Sequence, residues 1–132
     1  EKQKVFFSSL TYLQKIKSES EEIDIDVLKD DNFILVTGIA DSSYLVNFLK
    51  LKGLDFKHLK YSDHYNFKKS SVDKISELSL NKKILTTEKD FGRLSPKVKN
   101  RDIFYIEVGL KFPKEINDLD FNTYIEEYIN KD

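Results

Sequence analysis

"NFILVTGIA", residues 32–40, is the stretch on which the fold turns. Phe33, Ile34, Leu35 and Val36 form an unbroken apolar run. A strand with one wet face would alternate between apolar and polar residues. An unbroken run suits a strand covered on both faces, as in a parallel sheet packed between helices. Thr37 and Gly38 close the run, and Gly38 permits a tight turn or a close backbone approach.

Downstream, Tyr44, Leu45, Phe48 and Leu49 share one helical face, with Ser42 or Ser43 available as cap and Gly53 placed to stop the helix. "LDFKHLKYS", residues 54–62, alternates Phe56, His58 and Lys60 against Lys57, Leu59 and Tyr61 and predicts a second strand. Val72, Ile75 and Leu78 predict an amphipathic helix. "KKILTT" and "DIFYIEVG" predict two more strands, with a short helix between them. Phe121, Tyr124, Ile125, Tyr128 and Ile129 then follow helical spacing behind Asp120 as cap. This alternation predicts an α/β fold: a three-layer α/β/α sandwich with a mainly parallel sheet, Rossmann-like but without a phosphate-binding loop. Right-handed crossovers are expected.

Upstream, "KVFFSSLTYL", residues 4–13, has a β-like mix of apolar and hydroxyl residues. "QKIKSESEEIDIDVLKDD", residues 14–31, is polar and acidic. Residues 1–31 therefore read as a connector with a short extended segment, and 32–132 as the α/β lobe. The chain begins at Glu1 and its 132 residues include no methionine. The expectation is a lobe of a larger protein, with translation beginning upstream.

Composition narrows the function classes. Ten phenylalanines and seven tyrosines give the chain a core to bury, at 39% hydrophobic and 34% charged residues. A formal charge of −1 and a pI near 6.2 argue against nucleic acid as partner. The absence of cysteine removes disulfides and thiolate zinc sites. No apolar run approaches the length of a membrane span.

In an open parallel sheet, ligands bind beyond the carboxyl ends of the strands. Three segments fall there: "TGIADSS" (37–43), "SDHYNF" (62–67) and "TTEKD" (86–90). In the last, Thr87 as N-cap and Asp90 at the third helical position form a capping-box-like pair, with Glu88 favouring the helix dipole. Alternatively Glu88 or Lys89 faces a ligand. His64, beside Asp63, has the chemistry of a general base whose charged form a carboxylate can stabilise. It can equally be a loop-packing residue, and His58, inside a strand, reads as structural. The four glycines, at 38, 53, 92 and 109, match neither G-x-x-x-x-G-K-[ST] nor G-x-G-x-x-G. No G-x-S-x-G elbow and no histidine pair with zinc spacing is present, so no metal site is expected.

In this order the segments resemble the C-terminal lobe of the tetraacyldisaccharide 4′-kinase family, the lipid A 4′-kinases of Gram-negative bacteria. Gly38-Ile39-Ala40, Asp63-His64-Tyr65-Asn66-Phe67 and Thr86-Thr87-Glu88-Lys89-Asp90 carry the resemblance, with Val5–Ser9 resembling the piece after the family's kinase lobe. Two departures are Asp41-Ser42, where the family usually has Asn-Pro, and Tyr65, where a second histidine or a polar residue is common. The resemblance implies transfer of the ATP γ-phosphoryl group to the 4′-hydroxyl of a tetraacylated glucosamine disaccharide 1-phosphate at the cytoplasmic face of the inner membrane. It implies that ATP and Mg2+ bind an N-terminal P-loop lobe, with no cofactor in this chain, and that membrane contact is indirect or made through that missing lobe. It implies His64 and Asp63 as catalytic residues, His64 working with an aspartate of the other lobe. Gly38, Thr87, Glu88, Lys89 and Asp90 would line the substrate cleft. The isolated chain is then expected to be soluble and inactive. Two rival readings are a non-enzymatic Rossmann-like module that binds a ligand or protein, and a scaffold lobe offering Phe6, Phe7, Tyr12 and Phe112 to acyl chains.

Overall fold

The apolar run becomes β3 (Phe33–Thr37), and all five of its residues are buried. In the computed structural model, which describes residues 9–111, the other strands are β1 (Ser9–Lys17), β2 (Glu22–Asp24), β4 (Phe56–Lys60), β5 (Ile84–Thr87) and β6 (Ile103–Lys111). Three helices are described: α1 (Ser43–Leu51), α2 (Lys69–Leu78) and α3 (Glu88–Leu94). Residues 12–107 form one compact unit, and residues 9–11 and 108–111 belong to a second. The segments at 4–8 and 112–132, including the helix expected at 121–129 behind Asp120, lie outside the described residues.

The strand order is β2-β1-β6-β5-β3-β4. β3 pairs in parallel with β4 and β5, and β5 in parallel with β6. β1 and β2 pair antiparallel, so the sheet is mixed with a parallel majority. Side-chain alternation on β3 divides the interior into two layers. Phe33 and Leu35 join Leu45 and Leu49 of α1, while Ile34 and Val36 join Val72 and Ile75 of α2 and Leu94 of α3. Helices thus cover both faces of the sheet.

Local chemistry explains the helix ends. Gly53 has φ +79°, donates its N–H to Lys50 O at 2.9 Å, and is followed by Leu54 N–H to Leu49 O at 3.2 Å. This pair of bonds is a Schellman stop, and Leu49 and Leu54 are both buried in the same apolar cluster. At the start of α1, neither candidate serine caps. Asp41 Oδ1 accepts from both the Ser43 N–H (3.0 Å) and the Ser43 hydroxyl (2.7 Å).

The segment 14–31 departs from the connector reading. It completes β1, supplies β2 and then forms a 3-10 turn over Ile25–Asp30. Ile16, Ile25 and Leu28 are fully or almost fully buried. The acid-rich alternation Ile23-Asp24-Ile25-Asp26-Val27 resembles a strand. After Asp24, however, whose side chain accepts the Asp26 N–H, three-residue spacing turns Ile25 and Leu28 inward and leaves Val27 outside.

Candidate functional site

From β3 the chain crosses to β4 on one side, then returns to β5 on the other side of β3. That reversal is a topological switch point, where the carboxyl ends of two neighbouring parallel strands normally open a crevice for ligands. The three sequence segments meet here, on Gly38.

Two buried threonines finish β5. Thr86 donates its hydroxyl to Val36 O at 2.7 Å, tying β5 to β3. Thr87 Oγ1 accepts the Asp90 N–H at 3.1 Å and donates to Asp90 Oδ2 at 2.8 Å. The first of these is the expected N-cap of α3. The second departs from a capping box, in which the third-position acid would reach back to the cap residue's own N–H. Asp90 instead turns inward and is completely buried. Its Oδ2 accepts the Gly38 N–H at 2.7 Å, and its Oδ1 pairs with the Arg93 guanidinium one helical turn on.

The loop after β4 reaches the same glycine from the opposite side. Tyr61 N–H bonds Thr37 O at 2.7 Å and His64 N–H bonds Gly38 O at 2.9 Å. A side chain at residue 38 would be trapped between the two. Its Cβ would lie 3.1 Å from Asp90 Oδ1, 3.3 Å from Ser62 O and 3.6 Å from Tyr65 Cβ. The close approach that "TGIA" foreshadows is thus made from two directions at once. Ring packing steadies the loop: Tyr61 and Tyr65 stack at 4.7 Å, and both meet buried Phe67 edge-on. The Tyr65 hydroxyl pairs with Ser71 Oγ at 2.6 Å.

His64 occupies the crest of this loop with φ +59°, a left-handed backbone that non-glycine residues adopt at a cost. Its side chain is 76% exposed. A turn rather than an extended segment carries Asp63, so the Asp63 carboxylate can face its neighbour, with Oδ2 3.6 Å from His64 Nε2. Glu88 and Lys89 are exposed in the first turn of α3. The expected site residues therefore fall into two groups. Gly38, Thr87 and Asp90 form a buried floor, and Asp63, His64, Glu88 and Lys89 remain exposed.

Carboxylates of the chain itself already face this switch point. The Gly38 N–H that could meet an anion is already bonded to the Asp90 carboxylate. The first turn of α1 is already faced by Asp41, whose carboxyl lies below its usual range because it accepts the Ser43 N–H and hydroxyl. The protein's own carboxylates occupy both positions where a P-loop fold seats phosphate. Among the described residues no cluster of metal-ligating side chains occurs, and no helix is long and apolar enough to cross a membrane.

Arg93 escapes a sequence reading, and His58 takes the structural place expected of it. Arg93 looks like one more charge on a solvated helix face, although its three-residue spacing from Asp90 is a usable signal. His58 Nε2 lies 2.8 Å from Thr37 Oγ1, joining β4 to the end of β3. Burial, and secondarily Lys60, depress its pKa.

Comparison with known proteins gives one consistent result. The family described as Tetraacyldisaccharide-1-P 4'-kinase matches residues 1–127. A Tetraacyldisaccharide 4'-kinase of Flavobacterium psychrophilum is 33% identical over 128 residues, covering 97% of this chain and 36% of that protein. One from Pelagibacter ubique is 37% identical over 92 residues, covering 67% of this chain and 29% of its own length. The crystal structure of "apo" form LpxK from Aquifex aeolicus in complex with ATP superposes with a TM-score of 0.56 at 20% identity. That match covers 90% of this chain and 34% of the Aquifex chain, and at this identity it speaks for the fold. The chain spans about a third of the length of the curated relatives it matches.

Proposed function

This chain belongs to the Tetraacyldisaccharide-1-P 4'-kinase family, and from that premise we propose that it is the C-terminal lobe of a lipid A 4′-kinase. In this reading it forms one wall of a cleft whose other wall, carrying ATP and Mg2+, is a P-loop lobe. The phosphoryl acceptor is the 4′-hydroxyl of a tetraacyldisaccharide 1-phosphate. The work is done at the cytoplasmic face of the inner membrane, with membrane contact made through the other lobe.

One observation carries the proposal: an exposed histidine, with a carboxylate beside its ring, is held by a backbone bond on the loop at the switch point between parallel strands. Phosphoryl transfer depends mainly on positioning and on charge stabilisation, with a group to orient the attacking hydroxyl. His64 is that group here. Its imidazole accepts the hydroxyl hydrogen, Asp63 stabilises the resulting positive charge, and an aspartate of the other lobe shares the task. Glu88 and Lys89 flank the cleft on the α3 side. Because carboxylates already hold the switch point, this reading assigns the nucleotide phosphates to the other lobe and expects the chain alone to be inactive.

The experiment uses the complete kinase and the isolated chain in parallel. In the complete enzyme His64→Ala should lower kcat by about 10²–10⁴-fold, the range of a lost general base, without altering thermal unfolding. The isolated chain with ATP, Mg2+ and the disaccharide should give no turnover. An unchanged kcat in the variant removes His64 from the chemistry, and robust turnover by the isolated chain overturns the two-lobe reading.

A further inference from the structure

We propose that Asp90 is a positioning residue for His64, acting across Gly38 from the floor of the switch point. The inference rests on the reading of His64 given above.

Three features separate this arrangement from ordinary helix capping. First, Thr87 already caps α3 through the Asp90 backbone N–H, so the Asp90 side chain is not needed for that purpose. An acid in the first turn of a short helix normally stays in water, where it favours the helix dipole at no desolvation cost. Second, the carboxylate leaves its own helix and bonds the backbone of the residue just past the end of β3. Its Oδ2 receives both the Thr87 hydroxyl and the Gly38 N–H, while Arg93 balances its charge at Oδ1. Third, the same glycine holds the catalytic loop from its other side, through Gly38 O and the His64 N–H at 2.9 Å.

The chain of contacts is therefore Asp90 carboxylate, Gly38 N–H, Gly38 C=O, His64 N–H. His64 needs such a hold because its left-handed backbone, at φ +59°, is one that a free loop would relax. Residue 38 can transmit position only because it has no side chain. A Cβ would meet Asp90 Oδ1 at 3.1 Å and Ser62 O at 3.3 Å. Released from Asp90, the end of β3 shifts, and with it the loop crest that presents the ring.

The test is a double-mutant cycle in the complete kinase. Asp90→Asn keeps the side-chain shape but replaces one acceptor oxygen with an NH2 donor and removes the charge, so it cannot serve both the Gly38 N–H with the Thr87 hydroxyl and the Arg93 guanidinium. It should lower kcat by about 10–100-fold, the scale of a displaced catalytic group, with KM for ATP unchanged. Acting through His64, the substitution should have almost no further effect in a His64→Ala background. A folded Asp90→Asn enzyme with normal kcat overturns the proposal. So does an Asp90→Asn loss that multiplies undiminished in the His64→Ala background, since that marks a merely structural role. Should Asp90→Asn fail to fold, Thr87→Val supplies the same cycle by removing the hydroxyl that both donates to the carboxylate and caps α3, and Thr87→Ser, which keeps both bonds, should restore kcat. A silent His64→Ala defeats the general-base reading itself. A damaging His64→Ala beside a silent or multiplicative Asp90 variant defeats only this inference.

Discussion

The two ends of the parallel strands are built differently. At the amino ends, Asp30, Asp31, Asn32, Asn81, Lys82, Lys83 and Asp102 line an open polar depression. At the carboxyl ends, a carboxylate is fully buried and bonds three donors: one just past β3, one at the end of β5 and one in α3. Each end also has one non-glycine residue in left-handed backbone, Asn81 at φ 63° and His64 at φ 59°. Asparagine tolerates that conformation, and the Asn100 amide braces the turn by donating to Ser79 O and Lys82 O. The amino-end turn is thus explained by local chemistry. Histidine has weaker local grounds for its conformation, so its backbone is held from outside, by Gly38. The contrast teaches that two left-handed turns at opposite ends of one sheet can be held differently, one by side-chain bonds from Asn100 and one by a backbone bond from just past the end of β3.

The largest expected effect breaks the contrast directly. Asp90→Ala leaves the Gly38 N–H and the Thr87 hydroxyl without their acceptor and Arg93 without its partner. Chemical denaturation should show a loss of about 3 kcal/mol. Lys83→Ala, at the other end, removes only a partly exposed pair to Asp31 at 3.7 Å and should cost less than about 0.5 kcal/mol. Similar costs for the two variants would erase the distinction.

A smaller effect of opposite sign sharpens it. His64→Gly removes a left-handed penalty of about 1–2 kcal/mol and adds about 0.4–1 kcal/mol of unfolded-state freedom, so stability should rise by about 0.5–1 kcal/mol. Asn81→Gly should change stability much less, because asparagine is already at ease there. A destabilised His64→Gly would show that the loop crest carries no strain.

The smallest effect concerns His58, whose folded pKa lies below its ordinary 6.5 because of burial and then Lys60. As pH falls below about 6.5 the unfolded chain binds a proton that the folded chain resists, so stability declines with acidity until the folded pKa is passed. His58→Gln should flatten that part of the stability–pH curve. An unchanged slope would place the effect elsewhere.

Much of this architecture was legible from residue order. The Phe33–Val36 run identified a doubly covered strand, Gly53 its helix stop, and Thr87 with Asp90 the start of α3. Those signals are local, set by chirality, burial period and the first turn of a helix. Residues 14–31 were less legible, because one acid-rich stretch serves first as a strand and then as a 3-10 turn with a different inward period. At the site, the convergence on Gly38 depends on loops far apart in sequence, so neither the inward turn of Asp90 nor the left-handed crest at His64 has a local marker. Arg93 had one, its spacing from Asp90, but the same spacing occurs in many solvated helix pairs.

Among the described strands, β4 and the three-residue β2 form the borders of the sheet. A border with unpaired backbone groups invites neighbouring chains to add themselves as further strands. β4 presents Lys57 and Lys60 to solvent along that border, and β2 is too short to template a ladder. Charge repulsion and brevity thus discourage edge-to-edge association at the surfaces where aggregation would otherwise begin.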